Sequence, residues 1–236
     1  QPHMGDGGLC VGAAALHQHF LGHNIKPLDT VYLGPDISDD NIPEYLSKTP
    51  NIQSSSPSNT VEAICNDLLD NLIVGIVRGK MEFGPRALCN RSILIKTSDP
   101  EVNLTVNKRL NRTEFMPFAP VVREENLSKC FKTTLDPTLL YMTSTVNCTE
   151  EFSLKCPAVT HIDCTARPQI VTKVSNAFIW DLLLQWEQKS GELSLVNTSF
   201  NAHEEPIVCS IADAISALTN NRIDVLYLED YRVTTL

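Results

Sequence analysis

The densest group of charged and hydrogen-bonding side chains lies between positions 78 and 92, in the sequence RGKMEFGPRALCNRS. Its cations and neutral polar residues are Arg78, Lys80, Arg86, Asn90, Arg91 and Ser92. Gly79, Gly84 and Pro85 bend and stiffen the backbone between them. Guanidinium groups that are held rigidly near backbone N–H groups bind anions such as phosphate. A solvated basic loop is the alternative, but the Gly-Pro rigidity and the flanking apolar runs favour an anion site.

A second cationic stretch, NKRLNR, spans positions 107–112 and precedes the apolar sequence FMPFAP at 115–120. On a helix, Lys108 and Arg112 would share one face, one turn apart, and Arg109 would lie beside them. An ordinary solvent-facing helix is the alternative. The kinked apolar segment at 115–120 predicts a buried lead into a strand that would fix the nearby arginines.

Two further polar groups follow predicted strands. If Ala158–Ile162 is a strand, alternation places His161 and Asp163 on one face, just before Arg167, and the three could bind or polarise an anion. A satisfied core histidine is the alternative. Asn197, Ser199 and Asn201 follow the predicted strand Leu193–Val196, where small polar side chains suit a ligand crevice; a polar turn is the alternative.

The N-terminal region offers a weaker metal signal. Asp6 lies among glycines in GDGG, where a carboxylate could ligate a metal or approach phosphates. His19 and His23 are four residues apart, but HExxH is absent. We therefore interpret these histidines, and His17, as surface residues.

The elements that must position these residues alternate irregularly between helix and strand. Apolar spacing, composition and caps predict a helix within 5–21 after a Gly-rich turn, a helix that opens at 59–62 with an apolar face from Val61 to Leu72, and helices at 101–110, at 175–189 capped by Ser175, and at 211–219 opened by Ser210 and Asp213. Predicted strands are Leu72–Val77, Ser92–Ile95, Phe118–Val122, Leu139–Thr143, Ala158–Ile162, Leu193–Val196, Val225–Leu228 and Arg232–Thr235. Residues 49–60 and 79–91 are predicted loops. The pattern indicates an α/β (α+β) fold, an open twisted mixed sheet with flanking helices.

Composition excludes several functional classes. The chain has 236 residues, 42% of them hydrophobic, and a formal net charge of −9. That charge argues against a protein that coats nucleic acid or an anionic membrane, and no apolar run approaches the ~20 residues of a membrane span. The eight cysteines are scattered singly, which indicates reduced thiols and a cytoplasmic protein.

Five motifs in order carry a resemblance over nearly the whole chain: GDGGLCVGAA, GKMEFGPRALCNRSIL, MPFAPVV, PAVTHIDCTARPQ and LVNTSFNAHEEPIV. Together they resemble the C-terminal part of the ATP-dependent O-carbamoyltransferases, which include nodulation-factor and antibiotic-tailoring enzymes. The resemblance implies a threonylcarbamoyl-adenylate-synthase-like fold that joins carbamoyl phosphate and ATP, with Mg²⁺, into carbamoyl-adenylate. A preceding actin/Hsp70-like domain, which holds Fe²⁺, would then pass the carbamoyl group to an acceptor hydroxyl.

The resemblance also implies roles for individual residues and boundaries for domains. Arg86, Arg167 and Ser199 are expected to be catalytic, and the expected substrate- or nucleotide-binding residues are Lys80, Asn90, Arg91, Ser92, Arg109, Arg112, His161, Asp163, Asn197 and Asn201. Asp6 is expected to ligate metal only together with the preceding domain. Residues 1–22 are expected to be the tail of that domain, 23–60 a linker and N-terminal extension, and 61–236 the carbamoyltransferase C-terminal domain.

The sequence departs from the family pattern at several positions. Arginine is common where Lys80 stands, glycine where Cys89 and Glu204 stand, and basic residues where Leu110 and Met116 stand. Two other functions therefore stay open: a nucleotide-binding module that has lost the chemistry, and a threonylcarbamoyl-adenylate synthase-like enzyme.

Overall fold

The computed structural model describes residues 3, 5–26, 28–37, 41–112 and 118–236 of the chain. In these ranges the α-helices are α1 (Leu9–Phe20), α2 (Ile42–Lys48), α3 (Thr60–Leu69), α4 (Val102–Arg109), α5 (Leu127–Cys130), α6 (Glu150–Lys155), α7 (Ala177–Ser190) and α8 (Ile211–Thr219). The strands are β1 (Tyr32–Asp36), β2 (Ile52–Ser55), β3 (Val74–Val77), β4 (Lys80–Glu82), β5 (Arg91–Lys96), β6 (Ala119–Arg123), β7 (Val146–Asn147), β8 (Thr165–Ala166), β9 (Gln169–Val171), β10 (Ser194–Ser199), β11 (Val225–Leu228) and β12 (Tyr231–Thr235). No helix in the described ranges is both long enough and apolar enough to span a lipid bilayer.

The main sheet has eight strands in the order β2-β12-β11-β3-β5-β10-β6-β9. β11 runs parallel to β3 and β6 parallel to β9, whereas the other neighbours are antiparallel. Two small sheets, β1-β4 and β7-β8, lie outside it. The predicted mixed α/β fold with a large mixed sheet and flanking helices is confirmed.

Helices cover both faces of the sheet because successive strand residues point to opposite sides. On one face, Ile64 and Leu68 of α3 and Leu182 and Trp186 of α7 pack in one buried cluster with alternate residues of the central strands. On the other face, α4, α5, α6 and α8 contribute to the second buried cluster. The central strands are therefore buried from both sides, and only their ends can present polar side chains to a ligand.

Most predicted helix boundaries are confirmed by their caps. Asn59 caps α3 by accepting the N–H of Glu62, and Ser210 with Asp213 forms a capping box on α8. Gly191 ends α7 at φ +76°, a conformation that favours glycine. The prediction that Ser175 caps α7 is wrong: Asn176 accepts the N–H of Ile179, whereas Ser175 closes a turn with Thr172.

Two strand predictions and two loop predictions are wrong. The strand predicted at Leu139–Thr143 is a 3₁₀ helix, Pro137–Tyr141, capped by Asp136. The strand predicted at Ala158–Ile162 is a 3₁₀ helix at Pro157–Val159 followed by a turn. In both cases a proline at the first helical position presets the helical φ and outweighs the strand preference of the apolar residues that follow.

The loops predicted at 79–91 and at 49–60 are also wrong, because the first contains β4 and the second contains β2. This strand pairs with β12 at the edge of the main sheet, and its burial pattern shows one partly buried residue and three exposed ones. An edge strand made of Gln and Ser carries no apolar alternation, so the sequence gives little sign of it. The segment 23–60 thus contributes β1 to a small sheet and β2 to the main sheet, whereas α1 buries none of its residues.

Candidate anion site at the end of the central strands

A crevice of about 50 Å³ opens where β10 ends and β6 begins. Its polar lining comes from four separate segments: Arg86, Arg112, Arg167, Asn197, Thr198 and Ser199. Ser199 pairs with Ser92, near the start of β5, which places the crevice at one end of the central strands. The structure therefore brings together five of the residues predicted from sequence: Arg86, Arg112, Arg167, Asn197 and Ser199.

Arg86 and Arg167 approach each other across the crevice without a counter-charge among the described residues. Burial lowers the pKa of Arg167, and the positive charge of Arg86 lowers that pKa further. The Nε of Arg167 is buried, and no described residue accepts its hydrogen. Two guanidinium groups held together in this way form a site that an anion would stabilise.

Arg112 closes another side of the crevice. Its Nη1 donates to Thr198 Oγ1 at 3.1 Å, and its Nη2 donates to the carbonyl and hydroxyl oxygens of Ser199 at 3.3 and 3.4 Å. The guanidinium also lies 5.9 Å from the centre of the Phe118 ring. Burial lowers the pKa of Arg112. The predicted helical pairing of Arg112 with Lys108 is wrong, because α4 ends at Arg109 and Arg112 follows it in a turn.

Glu82, which the sequence reasoning missed, shapes the loop that carries Arg86. Its buried carboxylate accepts the backbone N–H groups of Leu88, Asn90 and Arg91 through Oε1, at 2.6, 2.7 and 3.2 Å. Burial raises the pKa of Glu82, against the opposing effect of these hydrogen bonds. The signal available from sequence was one acidic residue between apolar Met81 and Phe83 in an otherwise basic segment.

A buried amide pair ties this loop to the sheet. Asn197 Nδ2 donates to the carbonyl of Ala87 at 3.0 Å and to Gln169 Oε1 at 2.6 Å, and it lies 3.3 Å from Cys89 Sγ. Gln169 Nε2 donates in turn to the carbonyl of Leu88. These bonds fix the loop residues 87–89 against β10 and β9, next to the crevice.

Two departures from the family pattern fall at left-handed backbone positions. Cys89 has φ +82° and Glu204 has φ +61°, conformations that glycine adopts without the steric cost of a Cβ. Cys89 is fully buried, and burial raises the pKa of its thiol well above the ordinary value. The positive φ values thus explain why the resemblance implies glycine at both positions.

Other predicted residues of the basic loop lie behind the crevice. Arg91 is buried and donates to the backbone carbonyls of Pro35, Arg78, Gly79 and Asn90, so its guanidinium links the loop to the segment that carries β1. The hydroxyl of Ser92 accepts the N–H of Cys89. Asn90 bonds to the Lys80 carbonyl and to Asn176, and the side chain of Lys80 is exposed.

The remaining predicted residues lie apart from this crevice. Arg109 is paired with Asp224 at 2.6 Å beside Ile73 and Lys96, at the opposite end of β3 and β5. The prediction that His161 and Asp163 share a strand face is wrong: both bond to Thr165 in a turn before β8. Asn201 bonds to the carbonyls of Ala202 and Glu205, and Asp6 is exposed in a short 3₁₀ helix. The predicted strand lead at 115–117 lies outside the described residues.

A larger cavity, of about 850 Å³, lies at the opposite end of the sheet between α5, α6 and the end of α7. Its cations have acidic partners: Lys155 is 2.7 Å from Glu151, and Lys129 is 3.9 Å from Glu187. Within the described ranges, no group of three or more His, Cys, Asp or Glu side chains is placed to hold a metal ion. Size alone therefore does not indicate the chemistry, whereas the charge arrangement favours the smaller crevice.

Comparison with known proteins assigns the chain to a family. A protein-family model described as carbamoyltransferase C-terminus matches residues 65–235. The chain belongs to this carbamoyltransferase C-terminus family. The crevice residues Arg86, Asn197 and Ser199 lie within the matched range, as do Arg112 and Arg167.

Relatives within the family cover the chain almost completely. An uncharacterised protein of Methanocaldococcus jannaschii is 35% identical over 99% of the chain and 45% of its own length. Nodulation protein NolO of Bradyrhizobium diazoefficiens is 34% identical over 99% of the chain and 44% of its own length. The chain thus spans less than half the length of these relatives.

A solved structure shares the fold. Full-length HypF, in a phosphate- and nucleotide-bound form, superposes with a TM-score of 0.52 over 74% of this chain and 25% of its own length. The sequence identity is 18%, so this likeness concerns the fold.

Proposed function

We propose that this carbamoyltransferase C-terminal domain binds carbamoyl phosphate in the crevice and joins it with ATP to form carbamoyl-adenylate. The observation that carries the proposal is the pair of guanidinium groups, Arg86 and Arg167, which the fold brings together without an acidic partner among the described residues. A phosphate or a leaving pyrophosphate is the kind of group that such a pair stabilises.

The proposed roles follow from position. Arg86 and Arg167 hold the phosphate oxygens of the carbamoyl donor. Arg112 orients the Thr198 and Ser199 hydroxyls at the C-terminal end of β10, where Ser199 would contact the reacting groups. Hydrolysis of carbamoyl phosphate would release phosphate and carbamate, and a carbamate oxygen would then attack the α-phosphorus of ATP as pyrophosphate leaves.

The described residues give less support to the expected metal ions than to the anion site. Among the described residues no group of three or more His, Cys, Asp or Glu side chains is placed to hold Mg²⁺, and the proposed steps are assigned to the arginines and hydroxyls alone. Asp6 belongs to no group of three or more such side chains in the described part of the chain, and the resemblance implies Fe²⁺ there only together with a preceding domain. Transfer to an acceptor hydroxyl is proposed to need the additional length that the relatives possess.

Several observations from outside the crevice support the proposal. The family assignment implies a carbamoyl donor and an acceptor. The HypF structure that shares the fold was solved with phosphate and nucleotide. The formal net charge of −9 makes a local group of unpaired arginines a specific feature and not part of a generally basic surface.

Pyrophosphate release tests the proposed activity. With ATP and carbamoyl phosphate together, the protein is expected to release pyrophosphate, and omission of carbamoyl phosphate should abolish the release. Binding of carbamoyl phosphate without any pyrophosphate release would instead support a binding module that has lost the chemistry. Release only with bicarbonate and threonine would support a threonylcarbamoyl-adenylate synthase.

A further inference from the structure

The two polar atoms of the Asn197 amide, Nδ2 and Oδ1, differ in their hydrogen bonding. Its Nδ2 donates to two acceptors, the carbonyl of Ala87 and Gln169 Oε1. Its Oδ1 is buried without any hydrogen-bond donor among the described residues, although Asn197 is only 1% exposed and borders the crevice. Buried side-chain acceptors are nearly always paired, so an unpaired one beside a cavity indicates a place for a donor from outside.

The surrounding hydrogen bonds fix which end of this amide is the acceptor. The carbonyl of Leu88 can only accept, so the group of Gln169 that contacts it is Nε2, and Gln169 Oε1 faces Asn197. The carbonyl of Ala87 also can only accept. Rotating the Asn197 amide by half a turn would place Oδ1 against two acceptors. Asn197 Oδ1 is therefore an acceptor that no described residue pairs.

This acceptor differs in kind from the three arginines of the lining. Arg86, Arg112 and Arg167 present only donors, which match the oxygens of a phosphate. Asn197 Oδ1 matches an N–H instead. The crevice, at about 50 Å³, encloses only a small polar group such as one end of a ligand.

We propose that Asn197 Oδ1 accepts a hydrogen bond from the NH₂ of the carbamoyl group and thereby selects carbamoyl phosphate over acyl phosphates that lack an N–H. This inference rests on the proposed function, because it takes the phosphate to be held by the crevice arginines. An acyl phosphate with a methyl group in place of NH₂ would fill the same space but leave Oδ1 buried and unpaired. That loss is what makes a hydrogen-bonding site discriminate against an isosteric analogue.

Calorimetric titration of the protein with carbamoyl phosphate, acetyl phosphate and inorganic phosphate tests this inference without nucleotide. The wild-type protein is expected to bind carbamoyl phosphate about tenfold to a hundredfold more tightly than acetyl phosphate. In the variant Asn197→Ala that preference should fall to about twofold or less; the readout is the ratio of the two acyl-phosphate affinities, because loss of the Nδ2 contacts with the Arg86 loop lowers the affinity for all three ligands.

Asn103→Ala is the matched control. Asn103 also donates through Nδ2 to a backbone carbonyl, that of Ala158, and also leaves a buried Oδ1 unpaired among the described residues, but it lies on α4 away from the crevice. This variant should keep the preference for carbamoyl phosphate. Melting curves of both variants check that they fold.

Each possible outcome supports or overturns a defined claim. Equal affinity of the wild-type protein for carbamoyl and acetyl phosphate would overturn the inference, even if Asn197→Ala fails to fold. Retention of the preference by a folded Asn197→Ala protein would overturn it as well. Failure of the wild-type protein to bind any of the three ligands would instead refute the proposed function.

Discussion

Arginines at the two ends of the central strands differ in whether the protein itself neutralises them. At one end, Arg109 lies 2.6 Å from Asp224, whose other carboxylate oxygen accepts the N–H of Ile73 at 2.8 Å. At the crevice end, Arg86 and Arg167 face each other, and no described residue offers either of them a carboxylate. The first arrangement is neutralised within the protein, whereas the second has no neutralising group among the described residues.

The contrast shows that a cation-rich sequence does not by itself identify an anion site. Arg91 belongs to the densest basic segment, yet its guanidinium bonds to four backbone carbonyls and serves the fold. Arg167 is isolated in sequence from other arginines, yet the fold places it beside Arg86. Where a charge is paired internally, its removal should reduce stability; where it is unpaired, its removal should reduce ligand binding.

Glu82→Ala should have the largest effect, because it acts on the crevice end through the backbone of its loop. Three N–H groups would lose their acceptor, which costs about 2–3 kcal/mol in the free energy of unfolding. Affinity for carbamoyl phosphate should also fall, since the loop carries Arg86. Chemical denaturation and calorimetry measure the two effects, and wild-type behaviour in both would refute the role given to Glu82.

Glu82→Gln provides the control, because its amide oxygen can still accept those N–H groups. Burial raises the pKa of Glu82 above the ordinary value of 4.5. The stabilising contribution of the protonated carboxyl is therefore present below that ordinary value and is lost as pH rises through the raised pKa. Glutamine does not ionise, so stability of the Gln variant relative to wild type should increase over that rise in pH.

Arg109→Ala tests the opposite end of the sheet. The ion pair with Asp224 is partly exposed, with side-chain exposures of 29% and 24%, so its loss should lower the free energy of unfolding by about 1 kcal/mol. Affinity for carbamoyl phosphate should stay within about twofold of wild type, since Arg109 does not line the crevice and its guanidinium is paired with Asp224. A large loss of affinity with unchanged stability would reverse the distinction drawn between the two ends.

Substitutions of Cys89 should change the free energy of unfolding less, and they test the backbone conformation of the loop at the crevice end. At φ +82° a Cβ is strained by about 1–2 kcal/mol. Cys89→Gly relieves that strain but removes the buried thiol, so the free energy of unfolding should change by about 1 kcal/mol or less. Cys89→Ala keeps the strain and loses the thiol contacts, and it should be the less stable of the two. Denaturation curves that place alanine above glycine would contradict this account.

Local sequence signals anticipate the fold well where apolar periodicity and caps act together. Helix α8 begins and ends as predicted because Ser210 and Asp213 form the capping box and the apolar face has helical spacing. The same reasoning fails at Pro157–Val159, where a proline starts a helical turn inside an apolar run, and at β2, whose polar residues give no alternation.

The candidate site is harder to predict because its residues come from four segments. Sequence identifies Arg86 and Arg167 as candidates, but only the fold shows that they meet and that Arg109 does not join them. Glu82 was missed because its role depends on backbone N–H groups six to nine residues later, which fold onto it. The free Oδ1 of Asn197 likewise depends on the orientation of Gln169, which no spacing in the sequence indicates.

The most direct test compares carbamoyl phosphate titrations of wild type, Arg167→Ala and Arg109→Ala by calorimetry, alongside their melting temperatures. Loss of the charge-assisted contacts of Arg167 should cost about 1.5–3 kcal/mol of binding free energy, a weakening of about tenfold to over a hundredfold, with little change in melting temperature. The Arg109→Ala protein should bind carbamoyl phosphate as wild type does and should have a lower melting temperature. Unchanged affinity of the Arg167→Ala protein, together with a lowered melting temperature, would contradict the claim that the unpaired arginines form the binding site.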